Sequence, residues 1–172
     1  MPDGPQGRGG GADEPAELFR RLRERLFRGT AASYGLEPET RVWGVAMEMG
    51  YPEGTALVAC LSDGRAQLSF SHGGALLGGG EHESVRLRAK AIVEAADRFL
   101  AHAARADELP LPLEDHVHTY FLTDDGVLVA ETSQRAMEPG HHELSPLLHA
   151  GQTVVTELIR IARAQERGEP PE

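Results

Sequence analysis

Residues 66–105 constrain this chain more than any other stretch. An alternating run, AQLSFSH, passes through a glycine-rich segment, GGALLGGG (73–80), into a long amphipathic pattern that opens at EHES. Alternation with a period of two is a strand signal, and Ala66, Leu68 and Phe70 mark its apolar face. Val85, Ala89, Ile92, Ala96, Phe99 and Ala103 recur at helical spacing and predict a helix over 83–104. A strand that reverses directly into an amphipathic helix lays a helical layer on a sheet. The same corner gathers polar groups that could meet a ligand: His72, Gly78, Gly79, Gly80, His82 and Glu83.

The remaining elements follow from the same periodicities. A first helix is expected over 15–28, with Pro15 in its opening turn, a stripe of Leu18, Phe19, Leu22 and Leu26, and Gly29 at its end. Residues 41–49 alternate and place Trp43, Val45, Met47 and Met49 on one face of a strand. Residues 55–61 are almost wholly apolar, as an interior strand covered on both sides should be. Asp63-Gly64 turns that strand into the one at residue 66, whose Gln67, Ser69 and Ser71 predict a wet face. LPLPLED (109–115) is extended, because its prolines exclude helix. A hairpin of 116–123 and 127–132 turns at Asp124-Asp125-Gly126. A last helix, capped by Ser145 with Pro146 in first position, reaches about residue 165.

The resulting order is α-βββ-α-ββ-α. It predicts an α+β fold, with a five-stranded antiparallel sheet and helices in two layers. One domain is expected over 15–166, between disordered tails at 1–14 and 167–172 that lack apolar periodicity. In element order and acidity the chain resembles the type III secretion chaperones and their non-secretory relatives. That resemblance implies a small homodimeric protein that binds other proteins. The alternative is a roadblock-like or profilin-like sandwich, built from a similar inventory in another order.

Charge narrows the partners. The net charge is −10, yet residues 16–28 carry +3 from five arginines and two glutamates, leaving −13 elsewhere. An acidic body repels a phosphate backbone, so nucleic acid is not an expected partner. The basic first helix either packs on its own sheet or offers a partner surface. Its stripe is too short and too poor in aromatic anchors for a membrane surface. No apolar run approaches the roughly 20 residues of a bilayer span, and the first residues lack a signal-peptide core. The expected location is the cytoplasm. One cysteine, Cys60, excludes an intramolecular disulfide framework and cysteine-rich zinc sites.

No motif assigns a reaction. The glycine run lacks the Lys-Ser/Thr that completes a P-loop, since Glu81 follows Gly80, and Glu83 stands where a dinucleotide fingerprint needs its third glycine. Glu81 and Glu83 would also meet a bound phosphate with negative charge. The run is either a turn or a ligand corner. Three histidine groups could converge on a metal: His116 with His118, His141 and His142 with Glu143, and His72 and His82 with Glu83. HExxH spacing is absent, and neither a metal nor a cofactor is expected. Cys60 lies in an apolar strand and reads as a core residue. Asp63, Asp124 and Asp125 read as turn formers with solvated carboxylates. The chain is expected to be a non-catalytic protein-binding adaptor or chaperone-like module. The other reading is a small-ligand or metal-binding protein, with or without catalysis, that uses the glycine corner and its nearby histidines.

Overall fold

A computed structural model describes residues 13–170, with side chains from Ala16 onward. The expected tail over 1–14 lies almost wholly outside the described residues; Asp13 and Glu14 already belong to helix α1 (Asp13–Arg28). The protein is α+β. Its strands are β1 (Val42–Tyr51), β2 (Gly54–Leu61), β3 (Ala66–Phe70), β4 (Ala75–Leu76), β5 (Ala104–Arg105), β6 (His116–Thr123) and β7 (Gly126–Ser133). Helices α2 (Glu83–Ala95) and α3 (Ser145–Glu166) complete the long elements. These follow the order read from the sequence.

The strands form one antiparallel sheet in the order β4-β3-β2-β1-β6-β7-β5. The expected five strands become seven because two-residue strands cap both edges. Each pairs with only two residues of its neighbour, Leu128 and Val129 of β7 and Leu68 and Ser69 of β3.

Two layers become three. Side chains alternate along β1, so Val45, Met47 and Met49 point to one face and Ala46 and Glu48 to the other. The first face packs on α2 and α3 through Val85, Ala89, Ile92, Leu148, Val154 and Leu158. The second packs on α1 through Phe19 and Leu26, with Trp43, Leu57, Tyr120 and Leu122 beside them. The basic helix therefore covers its own sheet. Residues 42–50 are all buried, because β1 has helices above and below.

Trp43 departs from its expected face. It belongs with Leu57 and Tyr120, opposite Val45 and Met47. The β1–β6 register slips between Val42 and Gly44, and a slip of one residue exchanges faces. Ser69, expected on a wet face, is fully buried and its Oγ has no hydrogen-bond partner among the described residues.

The second helix is shorter than its periodicity suggests. It tightens into a 3-10 helix over Ala96–His102 and then gives β5. Phe99, Leu100 and Ala103 still reach the core, so the apolar pattern survives the change of helix type. In α3, Ser145 is the first helical residue rather than a cap. Its Oγ accepts the His142 N–H at 2.9 Å, upstream of the helix.

Candidate functional site

The glycine corner is built by close approach as well as by turning. Gly73, Gly74 and Gly78 have φ of 121°, 92° and 77°, a region open to glycine at little cost. Gly79 is different. Its φ is ordinary, but a Cβ there would lie 2.6 Å from Leu158 Cδ2 and 3.0 Å from the Ala66 carbonyl oxygen. A Cβ on Gly80 would lie 3.0 Å from Arg65 Cα. Gly79 seats the loop against β3 and α3, and Gly80 seats it against the turn between β2 and β3.

Gly78, Gly79 and His82 do border a hollow of about 270 Å³, which Leu158 and Ile161 of α3 also line. His82 also borders a neighbouring hollow of about 350 Å³ with Arg160 and Gln165. The remaining sequence-predicted residues stand apart. His72 is exposed, its ring 5.7 Å from that of Phe70. Glu83 is an exposed first-turn residue of α2, and Gly80 packs on backbone.

The histidine groups have separate neighbours. His116 Nδ1 is 2.9 Å from the Glu114 carbonyl oxygen. His141 pairs with Glu138 at 3.0 Å, and His102 with Glu143 at 2.8 Å. His142 Nδ1 accepts the Leu144 N–H. Among the described residues, no three His, Cys, Asp or Glu side chains are grouped to hold a metal ion. Cys60 is buried, and burial pushes its thiol up to about 12. That holds it in the unreactive thiol form at neutral pH. Asp124 is not only solvated: its Oδ1 accepts the Ala31 N–H at 2.8 Å and ties the β6–β7 turn to the loop after α1.

The sequence reading missed a buried polar network under α1. Glu48 is fully buried on β1. Arg23 of α1 donates to both of its carboxylate oxygens and to the Leu109 carbonyl. The Tyr120 hydroxyl donates to Glu48 Oε2 at 3.0 Å, and His118 Nδ1 lies 3.2 Å from that hydroxyl. Because the phenol proton is committed to Glu48, Nδ1 carries the proton shared with Tyr120. His118 Nε2 is 3.9 Å from Glu131. Burial opposes the charge on Arg23, but the Glu48 carboxylate more than offsets it and raises the guanidinium above its ordinary range. Burial and the same carboxylate push the Tyr120 phenol up, so it stays protonated. The network fastens α1 and the 106–115 connection to the sheet.

Further concavities are open to solvent, and two of them are lined mainly by apolar residues. One is a groove of about 480 Å³ between α2 and α3. The other is a cavity of about 230 Å³ between α1, β2, β3 and the loop at Leu77. No helix among the described residues is long and apolar enough to cross a membrane. Comparison with protein families, with curated proteins and with solved structures returns no match to this chain.

Proposed function

We propose that this chain is a non-catalytic protein-binding module, chaperone-like in the sense that it holds a segment of another protein. The groove between α2 and α3 carries this reading. Both sheet faces are covered by the chain's own layers, and α1 buries Phe19 and Leu26 against one of them while Leu18 stays 41% exposed. The groove is left open. Its buried lining is Ile92 and Leu147, flanked by Ala91, Ala95, Ala150 and Phe99. Small side chains on two helical ridges leave room for the backbone of a third helix, the helix-in-groove mode of recognition.

Charge selects the occupant. Arg88 and Arg98 rim the groove. Arg98 makes no ion pair among the described residues, and Arg88 acts on Glu157 only through its field. In a protein of net charge −10, two such arginines favour an acidic amphipathic helix. They disfavour a second copy docked through the same groove, where the arginines would face each other. The homodimer expected from the sequence belongs to this reading through another surface, the 106–115 connection, where Leu111 and Leu113 are 47% and 73% exposed.

A photo-crosslinking residue at Ala91 should capture a discrete partner in cells through an acidic helical segment. The double variant Arg88→Glu/Arg98→Glu should lose that partner while its thermal melt stays unchanged. Equal capture by the charge-reversed variant would refute the groove reading. Light scattering at roughly tens of micromolar tests the dimer separately; a strict monomer there removes it.

A further inference from the structure

The cavity beside α1 has the chemistry of a small-molecule site, and the geometry points to a ligand class: a monocarboxylate with a flat or short apolar body. The inference is independent of the protein-binding groove, which lies on the other side of the sheet.

The floor is apolar, made by Leu22 and Leu26 of α1 and by Ala59 and Leu61 of β2. Tyr34 forms a flat wall. Its ring stacks on Trp43 at 5.4 Å and 29°, and it closes over Gly29, where a Cβ would lie 2.6 Å from the ring. Leu77, 58% exposed, stands at the mouth beside Gly78. An apolar cavity with a few convergent polar groups is the usual form of a ligand site.

The polar groups at the mouth differ in their commitments. Arg25 and Arg65 both lie over the Tyr34 ring, at 5.5 and 5.9 Å from its centroid. Arg65 is engaged, donating to the Asp63 carboxylate and to the Tyr34 carbonyl. Arg25 is not: apart from the Tyr34 ring it has no hydrogen bond or ion pair among the described residues. Gln67, half-buried on β3, likewise makes no side-chain hydrogen bond among them. One unpaired guanidinium and one unpaired amide at the rim of an apolar hollow fit the two oxygens of a carboxylate. At about 230 Å³ the space falls below that of drug-sized ligands, which restricts the body to a small ring system or a short acyl chain and excludes a nucleotide.

Calorimetry on the full chain with 2-naphthoate, and with uncharged 2-naphthamide as the matched control, tests this. Saturable naphthoate binding is expected, with the amide weaker by roughly tenfold or more, the order of one charge-assisted hydrogen bond. Arg25→Ala, an exposed helical position, should weaken naphthoate to the amide level and leave the amide unchanged. Leu77→Gln should weaken both. Arg88→Glu/Arg98→Glu should alter neither, which separates this site from the groove. Three results would each overturn the inference: no saturable heat with naphthoate up to roughly 1 mM, equal affinity for acid and amide, or undiminished naphthoate binding by Arg25→Ala.

Discussion

Replacing Arg23 by Met should be among the most damaging single changes on the surface of α1, where most arginines are dispensable. Arg20 pairs with Glu17, and Arg28 with Glu24, with arginine side chains 71% and 80% exposed; exposed pairs of this kind contribute about 0–1 kcal/mol. Arg23 is 19% exposed, and its partner Glu48 is 0% exposed. Removing the guanidinium leaves a buried carboxylate with one neutral donor, Tyr120, and leaves the Leu109 carbonyl without its donor. Breaking a buried pair from one side costs about 3–5 kcal/mol. At about 2–4 °C per kcal/mol for a chain of this size, the melting temperature should fall by roughly 6–20 °C. Trp43, the sole tryptophan and buried in the layer under α1, reports unfolding by fluorescence in urea. The double variant Arg23→Met/Glu48→Leu should recover most of the loss, because an apolar pair of similar volume replaces a desolvated ion pair at little net cost. A single-variant loss below about 1 kcal/mol, the range of an exposed pair, would refute the assignment of this pair as buried and structural.

Three other perturbations follow. Gly79→Ala should destabilise by about 1–3 kcal/mol through overpacking against Leu158 and the Ala66 carbonyl, whereas Gly74→Ala, which meets nothing within 4 Å, should lose only the roughly 1 kcal/mol of its left-handed backbone; equal melts for Gly79→Ala and the parent would contradict the close packing. Cys60 should resist iodoacetamide at pH 8 in the native state and react on unfolding, and rapid native alkylation would show that the strand opens. Glu157 is held down at about 2 by the Arg160 guanidinium and by the Ser84 hydroxyl, against an ordinary value of 4.5. Its contribution is therefore complete above 4.5 and is lost as pH falls toward 2; Glu157→Gln should flatten the stability profile in that window by about 1 kcal/mol, a modest figure because Arg160 is half exposed.

Most of the architecture was legible because periodicity reports burial. The apolar run of residues 55–61 does lie in the sheet interior as β2, and the long elements follow the expected order. The layering was not legible. A stripe such as Leu18, Phe19, Leu22 and Leu26 says that a helix has a covered face, but both faces of a sheet satisfy it equally. The choice depends on contacts between residues far apart in sequence, such as Arg23 with Glu48. The edge strands escaped for a different reason: with two residues each, they carry no period to detect. Trp43 was misassigned because alternation propagates a face faithfully only while the register is unbroken, and the slip between Val42 and Gly44 reverses it.

The candidate sites divide along the same line. The glycine run was visible as composition, and its corner does border a hollow, but two of its glycines serve backbone approach, which leaves no sequence signature beyond the missing side chain. The buried network could have been suspected from one signal: Glu48 interrupts the apolar β1 between Met47 and Met49, on the face that alternation assigns away from them. A carboxylate flanked by core residues in an interior strand requires a cation and hydrogen-bond donors from elsewhere in the chain. The sequence offered five arginines on one helix and could not say which one turned inward. The answer also explains how α1 is oriented. With Arg23 bound to Glu48 and Leu109, the helix presents Leu22, Arg25 and Leu26 to the cavity under Tyr34. The buried ion pair thus sets the rotation of the helix that supplies Arg25. Loosening Arg23 should weaken naphthoate binding as well as stability, whereas Arg25→Ala should weaken binding alone; calorimetry beside urea unfolding on the two variants separates a positioning residue from a ligand contact.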